Sequence, residues 1–347
     1  MKSLYLEQVS LLLNVIPEVA KEICFALHGG TAINLFVLDM PRLSVDIDLT
    51  YIPIQDRSES LREINHALTR IMGSIKSLRP TIKVTHKADV CKLMVEEGDV
   101  LVKIEVNMVG RGVLDDSAEV MPLCDTAQDE FDVFCDIQVV PLSQLYGGKI
   151  CAALDRQHPR DLFDVNLLLK HQGYSREIAK GVIYALICSN RPTHEMLNPN
   201  HIDQRIAFES QFKGMSEHAF TYEDFEATRS ELIHVVNSGL DEKDRAFLLS
   251  VNQLKPDWSI YDFSQFPSVK WKLINLEKFK QSRPEDYELH LGALQNQLSQ
   301  SSEQQRSRSS CPIMQRFSNL KNALGTTINR VLGNNLTNYW HATPMAV

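Results

Sequence analysis

Hydrophobic and polar positions follow different periods in the two halves of the chain. Up to about residue 141, short runs rich in β-branched and apolar residues predict strands at residues 23–27, 45–51, 82–85, 91–95, 100–106 and 137–140. Helical patterns lie between these runs, so residues 1–141 are predicted to form an α/β or α+β domain. From residue 142 to about 294 the strand signal fades and apolar residues recur at helical spacing. A second, mostly helical domain is therefore expected at residues 142–294.

The C-terminal part has a different composition. Residues 295–310 are rich in Gln, Ser and Arg, with Leu298 as their only apolar side chain, and predict a polar linker. Residues 311–347 regain apolar spacing in a basic setting and are expected to be helical. The whole chain has a formal net charge of -8, whereas five basic residues and Glu303 give residues 303–347 a net charge of +4. This tail is one candidate for a basic RNA-binding surface, and docking on its own domain is the alternative.

Composition narrows the class of protein. With 44% hydrophobic and 23% charged residues, the 347-residue chain has the profile of a globular protein with enough length for two cores. No apolar run reaches the length of a membrane helix and the N-terminus lacks a secretory pattern, so a cytoplasmic location is expected. The seven cysteines include no C-x-x-C pair, which argues against a disulfide framework or a zinc site.

A diglycine follows the first predicted strand. Phe25-Ala26-Leu27-His28 runs into Gly29-Gly30, and a helix is predicted to start there with Thr31 as its cap. Glycine permits a positive φ and a close approach of a ligand to the backbone. Exposed N–H groups at a helix start also attract phosphate oxygens. Alone this pattern is common in proteins of any function, but it becomes informative beside the next motif.

Two acidic residues alternate with apolar residues on the next predicted strand. Because side chains alternate across a strand, Asp46 and Asp48 should share one face with Ser44, opposite the apolar face. Two carboxylates this close repel each other unless a cation lies between them, and oxygen ligands are those that Mg²⁺ prefers. Glu105, on the strand predicted at 100–106, is expected to be the third metal ligand and the base. The alternatives are a solvated strand face and an exposed Glu on an edge strand.

A third set of charged residues surrounds Pro159. Proline cannot lie inside a helix, so a helix with Lys149 and Arg156 should end near residue 157 or 158. A second helix should then begin at Pro159 with Asp161 in its first turn. Lys149 and Arg156 lie seven residues apart on one helix face and are candidates to hold the β- and γ-phosphates. A plain ion network of Arg156, Arg160, Asp161 and Asp164 between the helices is the alternative.

Together these motifs resemble the nucleotidyltransferase superfamily that includes DNA polymerase beta. The string Gly29-Gly30-Thr31-Ala32, the string Arg42-x-Ser44-x-Asp46-Ile47-Asp48-Leu49 and the segment from Lys149 to Asp164 are similar to the AbiEii/AbiGii toxin family. The resemblance covers roughly residues 20–170. It implies a polymerase-beta-like catalytic domain with a small mixed sheet, followed by a helical domain that completes the active-site cleft.

The resemblance also implies functional roles. Asp46, Asp48, Glu105, Lys149 and Asp161 would be catalytic, with Mg²⁺ on the first three. The residues implied to bind the nucleotide are Gly29, Gly30, Thr31, Arg42, Ser44, Arg156, Arg160 and Asp164. Such an enzyme would be a toxin of a toxin–antitoxin or phage-defence system. It would transfer a nucleotidyl group from a nucleoside triphosphate to an acceptor hydroxyl, the tRNA 3′ end above all, and a separately encoded antitoxin would restrain it. Nucleotidylation of a protein or small molecule, and a noncatalytic nucleotide-binding regulator, are the alternatives.

Overall fold

The computed structural model describes residues 2–309 of the chain. Within this range the strands are β1 Phe25–His28, β2 Asp46–Tyr51, β3 Lys83–Lys87, β4 Lys92–Glu97, β5 Val100–Val106, β6 Glu119–Pro122 and β7 Asp136–Val139. The α-helices are α1 Lys2–Ala20, α2 Gly29–Ala32, α3 Arg57–Leu78, α4 Asp125–Phe131, α5 Leu142–Arg156, α6 Pro159–His171, α7 Arg176–Cys188, α8 Thr193–Leu197, α9 Arg205–Ala207, α10 Tyr222–Gly239, α11 Glu242–Asn252, α12 Pro267–Ser282 and α13 Pro284–Ser309. π-Helical turns cover Ile33–Val37 and Phe208–Phe212, and 3₁₀ turns cover Ala88–Val90 and Leu114–Asp116.

All seven of these strands form one mixed sheet in the order β3-β4-β5-β2-β1-β7-β6. The central strand β2 pairs antiparallel with β1 and parallel with β5. Its apolar residues Ile47 and Leu49 are buried, as the alternating pattern predicts. Helices α1 and α3 pack on the sheet, α1 against β5 and β7 and α3 against β3 and β4. The mixed α/β fold class is confirmed.

The residues after β7 are helical, and two glycines bring two of their helices together. A Cβ atom added to Gly147 of α5 would collide with the backbone of Gly181 in α7, and one added to Gly181 would collide with the carbonyl of Ser143. The two backbones therefore touch, which only glycine allows. Since α5 also carries Lys149, this crossing sets the position of that side chain.

Some predicted boundaries differ from the structure. Strand β6 is not indicated by the sequence, because its residues are largely exposed and it ends on Pro122 at the edge of the sheet. The segment predicted as a polar linker is helical to Ser309, as part of α13. Residues 311–347, predicted to be a basic helical tail, lie outside the described residues.

The chain divides into compact units at a different place from the predicted domains. The described residues up to Gln295 form one compact unit, and the boundary of that unit falls within α13. The predicted boundary between residues 141 and 142 falls inside the first unit, where the sheet ends and α5 begins. Among the described residues, no helix is both long and apolar enough to cross a membrane.

We expect Gly147→Ala to lower the free energy of unfolding by about 2 kcal/mol or more, because the added methyl group forces α5 and α7 apart. Urea unfolding followed by circular dichroism measures the change. Gly73→Ala in α3 is the matched control, since a Cβ there meets no atom within 4 Å. That variant should be more stable by about 0.5–1 kcal/mol. Equal effects at the two positions would contradict the backbone contact.

Candidate active site

The diglycine bend lies directly against two charged side chains. Gly29 has a φ of +75°, and a Cβ at this position would lie 2.5 Å from Asp48 Oδ2. A Cβ on Gly30 would lie 2.7 Å from Arg42 Nη2. Both glycines are therefore required by the positive φ or by the closeness of Asp48 and Arg42. The bend and the acidic strand form one structural unit.

The predicted cap role of Thr31 is wrong. Helix α2 already begins at Gly29, and no side chain caps it. Thr31 is buried, its hydroxyl donates to the backbone carbonyl of Asp46, and it lies 3.0 Å from Ser44 Oγ. The side chain points toward β2 because the helix starts three residues earlier than a cap at Thr31 requires. Thr31 therefore joins the bend to the acidic strand.

Asp46 and Asp48 face the same side of β2, as their alternation predicts. They line a cavity of about 190 Å³ together with Gly30, Arg42, Ser44 and Glu105. Burial and the neighbouring charge of Asp46 raise the pKa of Asp48 to about 6. Burial and a neighbouring negative charge destabilise the ionised carboxylate, so a cation placed beside it would stabilise it. The donor set of two adjacent carboxylates therefore fits a hard divalent cation.

Glu105 is close to these acids but has another partner. The parallel register places Glu105 opposite Asp48, on a strand that is third from the edge rather than at it. Its carboxylate lies 2.7 Å from Lys92 Nζ on the neighbouring strand β4. Within residues 2–309, no three His, Cys, Asp or Glu side chains are grouped closely enough to hold a metal ion. The role of Glu105 as a third metal ligand stays a prediction, and in the structure its carboxylate is paired with Lys92.

A buried network of charges forms the opposite wall of the cavity. Arg42 donates two hydrogen bonds to Asp164, of 2.7 and 2.6 Å, and both side chains are almost completely buried. Lys149 Nζ lies 2.9 Å from Asp161 Oδ1 and 3.0 Å from Asp164 Oδ2. Asn34 donates to Asp164 as well, at 3.1 Å. The network therefore connects the segment before β2 with α5, α6 and the turn after the diglycine.

The pKa values of this network agree with full ionisation. Burial alone would lower the pKa of Lys149, but the charges of Asp161 and Asp164 outweigh it and raise that pKa. Burial alone would likewise raise the pKa values of both acids. Lys149 with Arg156 at Asp161, and Arg42 with Lys149 at Asp164, outweigh burial and hold both values below the usual range. Each buried charge is compensated by another.

Three further cations line the cavity. Arg156 donates to Asp161 at 2.6 Å, although most of its side chain is exposed. Arg160 forms no ion pair with any residue in the described part of the chain, and neither does Lys103, which lies opposite Asp46 in the sheet. The pKa of Arg160 is lowered by its burial and by the positive charge of Arg42. Arg160 and Lys103 are therefore the cations without a carboxylate partner at this cavity.

Most of the predicted site residues come together here. The cavity is lined by Gly30, Arg42, Ser44, Asp46, Asp48, Glu105, Lys149, Arg156, Arg160 and Asp161, while Gly29, Thr31 and Asp164 lie directly behind it. The predicted end of one helix near residue 157 and the start of the next at Pro159 are confirmed. The chemical roles of these residues stay predictions.

Two residues near the acids were missed from the sequence. Lys103 lies on the same strand face as Glu105, so the alternating pattern contains the signal for it. Lys92 could not be found this way, because its approach to Glu105 depends on the register between β4 and β5. His28, the last residue of β1, has a pKa lowered to about 4 by burial and is neutral near pH 7.

Comparison with solved structures identifies a similar fold. The fold is similar to that of MenT4, a nucleotidyltransferase toxin from Mycobacterium tuberculosis H37Rv, with a TM-score of 0.51 and 14% sequence identity over 80% of this chain and 99% of that chain. At this level of identity the similarity shows a shared fold. A comparison with curated proteins gives no significant match.

The particular family follows from the sequence. The family model described as "Nucleotidyl transferase AbiEii toxin, Type IV TA system" matches residues 10–275. The chain therefore belongs to the AbiEii nucleotidyltransferase toxin family, which confirms the family that the motifs indicated. It is a nucleotidyltransferase, and membership of a toxin–antitoxin family implies an antitoxin partner and a nucleoside triphosphate substrate.

We expect Asp164→Asn to lower the free energy of unfolding by about 3–5 kcal/mol, since it leaves the buried charge of Arg42 without a counter-ion. Urea unfolding measures the loss. Glu209→Gln removes the same kind of charge from an exposed pair with Lys213, whose atoms lie 2.8 Å apart. This control should change stability by no more than about 0.5 kcal/mol. A similarly small effect at Asp164 would contradict the structural role given to the network.

Proposed function

We propose that this toxin transfers a nucleotidyl group from a nucleoside triphosphate to an acceptor hydroxyl with the help of Mg²⁺, the acceptor being the 3′ end of a tRNA. One observation carries the proposal. Two acids on β2 and a set of cations line the same small cavity beside the diglycine bend, and within residues 2–309 neither these acids nor two of the cations form an ion pair. The acids are suited to bind a metal ion, and the cations are suited to bind the negatively charged triphosphate.

Asp46 and Asp48 would hold the metal ion, and Glu105 would join them only on leaving Lys92. When bound, Mg²⁺ would supply positive charge at the α-phosphate and help to orient the triphosphate. Arg160 and Lys103 are suited to bind phosphate oxygens, since they line the cavity and form no ion pair in the described part of the chain. The backbone of Gly29 and Gly30 leaves room for the chain of phosphates. Lys149 and Arg42 would then act mainly by keeping the cavity in shape.

The reaction forms one bond and breaks one. The oxygen of the acceptor hydroxyl forms a bond to the α-phosphorus, and the bond from that phosphorus to the bridging oxygen of the β-phosphate breaks. Pyrophosphate leaves with the electron pair, and the cations of the cavity stabilise its charge. The proton of the hydroxyl is accepted by Glu105, the half-exposed carboxylate at the rim of the cavity.

The cellular role follows from the family and the reaction. A tRNA whose 3′ end is modified no longer serves translation, and this loss would account for toxicity and for action in phage defence. Both tRNA and nucleoside triphosphates are found in the cytoplasm, where we place the toxin's action. Transfer to a protein or to a small molecule would use the same chemistry at the same cavity.

We expect Asp46→Asn to reduce transfer by roughly 100-fold or more, because it removes a metal ligand. The melting temperature without metal should stay equal or rise, since the repulsion of Asp48 disappears. Purified protein incubated with labelled nucleoside triphosphates, Mg²⁺ and total tRNA measures the transfer. Asp99→Asn, an exposed acid in the turn between β4 and β5, should keep full activity.

The distribution of the label separates the candidate functions. Label in RNA supports the tRNA proposal, whereas label in added cell protein would replace it by protein nucleotidylation. Triphosphate binding without any label would indicate a noncatalytic regulator. Full transfer by Asp46→Asn would contradict the metal assignment.

A further inference from the structure

A second and larger cleft borders the catalytic acids. Its volume is about 800 Å³, and Asp48 and Glu105 line both this cleft and the smaller cavity. One wall consists of β2, β5 and residues 107–110, and the other consists of α5, α7 and α12. The catalytic acids therefore lie at the boundary between the smaller cavity and the larger cleft, and each of these can bind a different part of the substrates.

The two spaces differ sharply in charge. The smaller cavity is lined by five basic side chains (Arg42, Lys103, Lys149, Arg156 and Arg160) and four acids (Asp46, Asp48, Glu105 and Asp161), five positive against four negative charges. The larger cleft is lined by a single basic side chain, Lys92, which is paired with Glu105, and by the acids Asp48, Glu105 and Asp155. Phosphate groups are therefore attracted to the smaller cavity, and the larger cleft suits an uncharged group.

The volumes of the smaller cavity and the larger cleft support the same assignment of phosphates and uncharged groups. Sites that enclose a whole small molecule have volumes of roughly 300–1,000 Å³. The smaller cavity, at about 190 Å³, is below this range and the larger cleft, at about 800 Å³, is within it. The smaller cavity therefore has room for a polyphosphate chain, and the larger cleft has room for a complete nucleoside unit.

The lining of the larger cleft fits a nucleobase. Trp271 of α12 forms part of its wall, with 47% of its surface exposed. The side-chain amides of Asn107 and Asn190 supply hydrogen-bonding groups, whereas the amide of Gln144 already bonds to the backbone of Gly112 and Leu114. An exposed indole ring stacks on any base, and amides pair with base edges.

Helix α12 is fixed relative to the cleft by the residue next to Trp271. Lys272 is buried, and its ammonium group donates to the carbonyls of Ser189 at 2.6 Å and Arg191 at 3.1 Å. These carbonyls follow the C-terminal end of α7, where a positive charge is favourable. The Trp271 ring is thus attached to a helix that is tied to another wall of the cleft.

The direction from which the hydroxyl attacks indicates that the larger cleft binds the acceptor. In phosphoryl-type transfer the attacking and leaving oxygens lie roughly in line, on opposite sides of the phosphorus. If pyrophosphate leaves into the cationic cavity, the hydroxyl must approach from the other side of the acids. The larger cleft lies on that side, and it shares Glu105, the base of the proposed function, with the smaller cavity.

We infer that the larger cleft binds the unpaired terminal nucleotide of an RNA acceptor, with its base stacked on Trp271 and its ribose hydroxyl toward Glu105. This inference rests on the proposed function for the direction of attack. Binding of single-stranded RNA, however, can be measured without turnover. A failure of the inference is therefore distinguishable from a failure of the proposed reaction.

The binding experiment uses the full chain with Asp46→Asn, so that turnover does not interfere, and a fluorescein-labelled single-stranded RNA hexanucleotide. Fluorescence anisotropy should show a dissociation constant roughly 10-fold higher after Trp271→Ala. Trp271→Phe should restore most of the affinity, because a phenyl ring still stacks. Ile274→Ala, on the same helix and with the same 47% exposure, should leave binding unchanged. Equal RNA affinity with and without Trp271 would overturn the inference.

A kinetic experiment tests the same assignment with the otherwise unchanged enzyme. Trp271→Ala should raise KM for tRNA roughly 10-fold and leave KM for the nucleoside triphosphate unaltered. The reverse pattern would place the base of the triphosphate in the larger cleft and overturn the inference. If no transfer to RNA occurs with the wild-type chain, the proposed reaction fails and the anisotropy result alone decides whether the cleft binds RNA.

Discussion

The buried ion network of Arg42, Lys149, Asp161 and Asp164 is the constraint on which the rest of the site depends. Its members come from the segment before β2, from α5 and from α6, and almost none of their surface reaches solvent. Buried charges are tolerated only when each has its partner at hydrogen-bonding distance. The network therefore allows a single arrangement of these three elements, and that arrangement encloses the cavity beside the acids of β2.

The charges around this cavity have divided roles. Arg42 and Lys149 are already neutralised by Asp161 and Asp164, so their main effect is on the shape of the site. Asp48 forms no ion pair within residues 2–309, and burial together with the charge of Asp46 raises its pKa, so a bound cation would stabilise its charged form. Arg160 likewise has no partner among the described residues. The cavity is thus lined both by charged groups that are ion-paired and by groups that form no ion pair.

The sequence predicts the parts of this site that depend on local periodicity. Alternation along β2 places Asp46 and Asp48 on one face, and Pro159 separates α5 from α6. Contacts between elements that lie far apart in the chain cannot be predicted from this periodicity. The pairing of Lys92 with Glu105 depends on strand register, the inward turn of Thr31 depends on the start of α2, and Trp271 reaches the cleft only through the packing of α12. Strand β6 is not predicted from the sequence, because an exposed edge strand lacks an apolar pattern.

The most direct test of this account is a crystal structure with Mn²⁺ and a nonhydrolysable nucleoside triphosphate analogue, in which anomalous scattering locates the metal. The account predicts Mn²⁺ in contact with the carboxylates of Asp46 and Asp48, and the β- and γ-phosphates in the smaller cavity near Arg160. Metal bound away from these two acids, or phosphates placed in the larger cleft, would contradict it.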